Sequence, residues 1–463
     1  MSWKRASRVA AAIVAAGLGL LSIVIYRGYF RDGPPVEFAD PVDHFKYGSI
    51  GAEVGGLPYP IWKALPSVCP DLLPGGYTSL GFITEPGHDL PVGVTVRQYG
   101  LSRVGFNCAT CHTASFAGVN GAVLGAPAEQ LDLGAYTSFI LACGTSPQFT
   151  PARVLAAMES AGVRLGTLDR LMYRYAVLPL ARGVFADRAR SFSWTQSRPL
   201  PGPGRTDALN PWRQRHGLNP AGDSAVATVD FPSIWNQAPR ESFWLHWDAN
   251  NNSLAERNLS AALAGGATEA SLDLAAIDRV GVWLRSLAAP RYPFPVDSVL
   301  AQHGRTVYER EACGNCHDIG GTRVGQSTPL SEIGTDAERL TTLTDDLMGR
   351  MLQVGTGYPW RFTHYRRPTG YANSPLDGIW ARAPYLHNGS VPTLWDLLQP
   401  VANRPRTFGR GCGALDSRKV GIRCDGPFVF TADLRGNGNT GHAYGTLLTD
   451  ADRWALIEYL KTQ

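Results

Sequence analysis

Two short stretches, Cys108-Ala-Thr-Cys111-His112 and Cys313-Gly-Asn-Cys316-His317, share the pattern C-x-x-C-H, and no other feature restricts this chain as tightly. With eight cysteines and ten histidines among 463 residues, one such pentamer arises by chance about 0.003 times, so a pair is not accidental. Cysteines at i and i+3 lie on one side of a helical turn, where both sulfurs can reach the vinyl groups of one porphyrin. The histidine that follows then presents its imidazole to the iron. A zinc site would gather four ligands at one point, and a dithiol centre needs no histidine after each pair. The pattern therefore predicts two covalently bound haem c groups, held by Cys108, Cys111 and His112 and by Cys313, Cys316 and His317.

Haem c is attached outside the cytoplasm, and the start of the chain agrees. Lys4, Arg5 and Arg8 precede about 18 uncharged, mostly apolar residues from Val9 to Tyr26, and Arg27 follows. As a helix this stretch is about 27 Å long, enough to cross a bilayer. Tyr26, Arg27, Tyr29 and Phe30 stand where a small-x-small cleavage site would be, which favours an uncleaved signal anchor over a removed signal peptide. The basic end stays inside, so the rest of the chain is expected in the periplasm, held at the inner membrane by residues 9–26 or released there after cleavage. Lys plus Arg number 43 against 39 Asp plus Glu, a net charge of +4 spread along the chain, which argues against a nucleic-acid partner.

The 51 glycines and 33 prolines exceed ordinary usage and favour long ordered loops. Four cysteines remain for disulfides in an exported protein. Cys412 with Cys424 is the short-loop pair and Cys69 with Cys143 is what remains, free buried thiols being the alternative. Helical spacing marks Val299 to Ala312, ahead of the second pentamer, and Asp450 to Lys461, with Asp450 as N-cap. Leu272 to Leu287 reads as a similar closing helix, followed by a linker with Pro290, Pro293 and Pro295. The fold class is mainly α with extensive ordered loops: after residues 1–30 come two cytochrome c-like haem domains, 31–290 and 291–463. Pro151 to Arg190 adds one or two helices that could pack over the first haem, and no internal repeat is visible beyond the pentamer itself.

Further residues carry a resemblance. Phe231-Pro-Ser-Ile-Trp-Asn-Gln237, Trp247-Asp248, Ser253-Leu-Ala-Glu256 and Ala383-Pro-Tyr-Leu-His387-Asn-Gly-Ser-Val-Pro-Thr-Leu394 resemble segments of the bacterial di-haem cytochrome c peroxidases. The wording around Trp247 and the late Gly441-His442-Ala-Tyr-Gly445 are similar to a branch of that superfamily, the di-haem rubber oxygenases. The resemblance covers about residues 100 to 460. It implies a reactive first haem with His112 as proximal ligand and an electron-transfer second haem on His317. No methionine follows Met351 to serve as the peroxidases' sixth ligand, so His442 is implied as the second axial ligand. A bis-histidine haem has a lower potential than a Met/His one. Trp247 matches an electron-relaying tryptophan between the haems, with Asp248 orienting it. Glu269 stands near, but off register from, the peroxidases' acid/base glutamate. The resemblance also brings a calcium ion between the domains of some relatives.

Other polar residues are read more plainly. Ser253 with Glu256 forms a capping box. His387 is a hydrogen bonder near a haem edge, Phe243 and Trp244 line a distal pocket or pack in the core, and Arg97, Arg103 or Arg382 pairs with haem propionates. Three functions follow. The first is peroxide reduction with electrons from a small cytochrome or similar donor. The second is cleavage of an apolar olefin such as polyisoprene with dioxygen. The third is electron carriage with both irons six-coordinate.

Overall fold

The computed structural model describes residues 3–218 and 223–463, with side chains from residue 7 onward, so Lys4 and Arg5 lie outside the described side chains. A helix over Trp3–Tyr29 opens the chain. Its apolar stretch Ser7–Tyr29 is left unburied by the protein up to its last turn, where Arg27 and Tyr29 touch the domain, and its length and composition suit a signal sequence or a membrane anchor. The remainder is helices and loops joined by small two-stranded antiparallel sheets, as the glycine and proline content requires.

Three helices stand close to where apolar spacing predicts them. Leu274–Ser286 begins where Asp273 accepts from the Ala276 amide at 3.0 Å. Ser298–Arg310 begins where Asp297 accepts from the amides of Val299 and Leu300, and it crosses Asp450–Leu460 closely. A Cβ on Gly304 would lie 1.8 Å from the Ala455 carbonyl oxygen, so only glycine permits that approach. The cap of the last helix is Thr449, not Asp450: Thr449 accepts from the Asp452 amide, and Asp450 is the first helical residue, paired with Arg453. A threonine hydroxyl is also a good cap, so the boundary moves by one residue.

Residues 151–190 form Pro151–Ser160 and a longer helix running from Thr167 to Ser191 through a π-helical turn at Tyr173–Val177. With Tyr59–Val68 and Leu133–Thr145 they enclose Leu65, Phe149, Val154, Met158 and Phe185. The rim of this cluster includes Cys111, so the extra helices wall one side of the first attachment site. The disulfide Cys69–Cys143 links two of these helices, and Cys412–Cys424 closes the second expected pair. Of the four main apolar clusters, two draw side chains from both sides of residue 290, so the halves share core.

The structure contains a repeat that the sequence hides. An isolated bridge Leu245–Asn251 has its counterpart in Tyr385–Val391, 140 residues on. Each loop inside has two left-handed residues, His246 and Ala249 in one and Leu386 and Gly389 in the other, at the same offset. Each is followed by a capped helix: Ser253 accepts from the Glu256 amide and Thr393 from the Asp396 amide, again 140 residues apart. Backbone conformation and cap chemistry tolerate different residues at matched positions, which leaves little identity to detect. In this register Trp247 corresponds to His387 and Asp248 to Asn388.

Candidate haem sites

Each pentamer sits on a single helical turn, Cys108–Cys111 and Gly314–His317. Asn107 caps the first by accepting from the Ala109 amide at 3.0 Å. Before the second, Ala312 takes a left-handed φ of 54° that turns the chain into Cys313. The four cysteines of the two pentamers are free of disulfides. Cys108 and Cys111 are half-buried by surface, yet burial pushes their thiols up to about 11 and about 12. Both lie at the edges of apolar clusters, where burial disfavours the thiolate.

The two histidines are oriented in the same way. His112 Nδ1 is 2.8 Å from the Pro232 carbonyl oxygen, and His317 Nδ1 is 2.8 Å from that of Ser374. A carbonyl only accepts, so each Nδ1 carries the proton and each Nε2 keeps its lone pair, the arrangement that a metal-ligating imidazole needs. Burial holds both rings toward the neutral form, His112 down to about 4.

The far sides differ. His442 faces His317 with ring centroids 6.2 Å apart. Two metal–imidazole bonds of about 2 Å plus the half-widths of two rings, about 1.1 Å each, add to roughly 6 Å, so the pair fits one iron between them. Burial, His317 and Arg404 push His442 down to about 3, and its buried Nδ1 has no partner among the described residues. Its backbone is left-handed, φ 45°, a conformation costing a non-glycine residue about 1 kcal/mol or more. Three contacts hold it there. The His442 amide donates to Ile333 O at 2.8 Å, and Arg404 donates to the carbonyls of Gly441 at 2.8 Å and His442 at 3.2 Å. Facing His112, no aromatic ring pairs at such a distance among the described residues. The charged group acting on His112 is Arg257, whose own pKa burial lowers to about 10.

Trp247 bonds to both of the segments that orient the two histidines. Its Nε1 donates to the Asp230 carbonyl at 2.8 Å, two residues before the Pro232 that orients His112. Its carbonyl accepts from the Ala372 amide at 2.8 Å, two residues before the Ser374 that orients His317. Asp248 is fully buried and holds Arg339 Nε at 2.5 Å, rather than touching the indole nitrogen. Asp230, which sequence reasoning missed, is buried between Arg410 at 2.9 Å and Arg205, and burial outweighs both in raising its carboxyl to about 6.

Other expected residues fall elsewhere. Glu269 lies in the loop between Leu254–Ala264 and Leu274–Ser286, half-exposed, and acts on His216. The Ser253–Glu256 box is only half formed. Ser253 accepts from the Glu256 amide, but the carboxylate turns away to accept from the Thr363 amide at 2.7 Å and to pair with His364 Nδ1 at 2.6 Å. His387 stacks on Tyr371 at 4.0 Å. Phe243 packs against Gly325, and Trp244 lies under the Arg366 guanidinium. Arg382 is the one expected arginine beside a centre: it acts on His317 and donates to Pro375 O at 2.6 Å. Arg97 donates to Gly33 O and Arg103 to Gly56 O instead, in the hairpin region. Arg257 and Arg404 carry no sequence signal. Among the described residues no group of three or more His, Cys, Asp or Glu converges as a metal site, so the calcium ion finds no carboxylate cluster there.

A family model described as RoxA-like, cytochrome c-like matches residues 370–409, the segment carrying Ser374, Arg382, His387 and Arg404. The chain is 32% identical over 290 residues to the uncharacterized protein y4iM of Sinorhizobium fredii, covering 51% of this chain and 65% of that protein. It is 28% identical over 538 residues to the uncharacterized protein y4iJ of the same organism, covering 93% and 85% respectively. The chain thus spans slightly under two thirds of the first of these relatives. The family match supports a relationship to RoxA-like haem cytochromes, with haem c as cofactor, iron as its metal and oxidoreductase as the broad class.

Proposed function

We propose that this is an exported cytochrome with two haem c groups, an oxidoreductase that takes its oxidant at the His112 centre and moves electrons through the His317 centre. The observation that carries this reading is the asymmetry between the sites: an imidazole faces His317 at 6.2 Å, and among the described residues no ring is so placed at His112. When bound, the haems supply one-electron redox chemistry and, at a centre with a free face, binding of dioxygen or peroxide.

The chain's own residues divide the work. Cys108 and Cys111, and Cys313 and Cys316, hold the two groups, while Pro232 O and Ser374 O set the two proximal rings. Arg404 holds His442 in its left-handed turn. Trp247, tied to both orienting segments, is the aromatic group best placed to relay an electron, and Asp248 positions its loop through Arg339. Arg257 puts a positive charge at the His112 centre, where a reduced, anionic oxidant would be stabilised.

Heterolysis of a peroxide needs a group that carries a proton between its oxygens. Glu269 lies half-exposed in a loop and off the register of the peroxidases' glutamate, which leaves the proton carrier unassigned and makes dioxygen chemistry on an apolar olefin such as polyisoprene the first reading. Reduction of hydrogen peroxide with electrons from a small periplasmic cytochrome is the second reading, favoured by the Trp247 bridge, which suits an outside electron supply. The test is the resting spectrum of the holoprotein with and without cyanide, followed by peroxide turnover with a reduced cytochrome against oxygen uptake on polyisoprene. One low-spin haem and one that binds cyanide is the expected result. Two low-spin haems that take up neither cyanide nor peroxide would leave an electron carrier.

A further inference from the structure

We propose that the long helix from Thr167 to Ser191 is a second membrane contact, lying in the interface of an anionic bilayer beside the N-terminal helix. The proposal rests on Trp3–Tyr29 remaining as a membrane anchor.

The helix has two opposed apolar faces. Tyr173, Val177, Leu178 and Phe185 are buried in the cluster described above. On the other side Leu171, Tyr175, Leu180 and Val184 are 51%, 70%, 71% and 40% exposed. Their spacings are four, five and four residues. In an uninterrupted α-helix the step of five would rotate Leu180 off the face, but the π turn at Tyr173–Val177 absorbs the extra residue and keeps all four aligned. At about 1.5 Å per residue the 167–191 helix is roughly 37 Å long. An outward apolar stripe on a packed helix needs a partner, since it contributes nothing to the core that the opposite face already fills.

What covers this face is indicated by where the anchor leaves the domain. The Tyr29 hydroxyl donates to Asp169 Oδ1 at 2.7 Å, at the start of this helix, and the Tyr29 ring packs on the same cluster. The Arg27 carbonyl accepts from Gln98 Nε2 at 2.9 Å, and the Gly33 amide donates to Gln98 O at 2.8 Å. The anchor is therefore strapped to the hairpin Val94–Phe106 within its last turn, with no slack between bilayer and domain. The surface adjoining the exit must lie against the headgroups, and that surface carries Phe30, 67% exposed, and then Leu171. Charge agrees with an anionic leaflet. The helix bears Arg170, Arg174, Arg182, Arg188 and Arg190 against Asp169 and Asp187, and among the described residues Arg174 and Arg182 make no ion pair. Apolar residues toward the acyl boundary with flanking arginines at the phosphates is the pattern of an interfacial helix.

The test uses the full-length holoprotein in vesicles of phosphatidylcholine and phosphatidylglycerol doped with a phosphatidylcholine carrying a diazirine on its acyl chain. After illumination, adducts are mapped by mass spectrometry. Adducts on peptides containing Leu171, Tyr175 and Leu180, as well as on the anchor, are expected, with none on the peptide containing Leu447, which is 98% exposed at the other end of the chain. L171E together with L180E, both on the surface, should remove the helix adducts several-fold and leave the anchor's. Adducts on the anchor with none on the 167–191 peptides would overturn the interfacial helix and leave the anchor standing. Absence of adducts on the anchor would overturn both.

Discussion

The two C-x-x-C-H sites share their proximal halves and part ways on their distal halves. Both histidines donate through Nδ1 to a carbonyl of a loop that also carries a bond to Trp247, at nearly superimposable spacing. The His112 site lies where three apolar clusters meet, with Cys111 on one and Cys108 on two others, whereas Cys313 edges a single cluster. The His317 site spends a strained backbone position, at His442, to bring in a second imidazole. The more enclosed site is thus the one without a facing ring. The lesson is that the orientation of each histidine comes with the pentamer and its local loop, while what faces that histidine is set by a distant segment.

That contrast can be attacked directly. The largest effect is expected from His442→Ala. It should convert the second haem from low to high spin and leave the first unchanged; identical spectra would remove His442 as a ligand. Next come the matched loop residues. Asp248→Ala strands a buried Arg339 and should lower stability by about 3–5 kcal/mol in urea unfolding. Its counterpart Asn388→Ala, which loses hydrogen bonds to Gly436 O and Gly438 O, should cost about 1–3 kcal/mol. Equal losses would mean that the two loops are energetically equivalent after all. The two caps are smaller: Ser253→Ala and Thr393→Ala should each cost about 1 kcal/mol by the same measurement.

A still smaller effect, nil at neutral pH, concerns His387. Burial, with Arg339 and Arg205 adding to it, holds its imidazole well below the usual value of 6.5. The folded protein therefore takes up this proton less readily than the unfolded chain, so the associated stability is complete above about pH 6.5 and is lost as pH falls below it. His387→Gln should flatten that acid limb in urea midpoints measured from pH 7 to 5, and an unaltered slope would assign the limb to other groups. Last, Glu269→Gln should leave oxidant turnover at the first centre within error, since its carboxylate lies half-exposed in the loop after Leu254–Ala264. A large loss would restore it as the proton carrier.

Several elements were legible because they are local. The helices Ser298–Arg310 and Asp450–Leu460 follow from apolar spacing and capping residues within one or two positions of the expected ends. The Cys412–Cys424 disulfide followed from its short loop, and Cys69–Cys143 only as the pair left over. The repeat of the Leu245 and Tyr385 loops was not legible, because left-handed turns and caps accept several residue types and the shared object is backbone shape. Asp230, Arg257 and Arg404 were invisible for a different reason. A lone charged residue is read as solvated until the fold buries it, and their importance lies wholly in partners far along the chain.

Bond-making capacity is therefore written along the chain: thiols three residues apart with an adjacent imidazole, an apolar stretch long enough for a bilayer, cysteines left over for pairing. These need only neighbours in sequence, so a linear reading reaches them. Which of the two histidines meets a second imidazole was decided by packing, since His317 and His442 are 125 residues apart and meet where Ile333 and Arg404 hold the returning loop. Long-range juxtaposition of that kind depends on the summed packing of the whole fold, and no local pattern carries it.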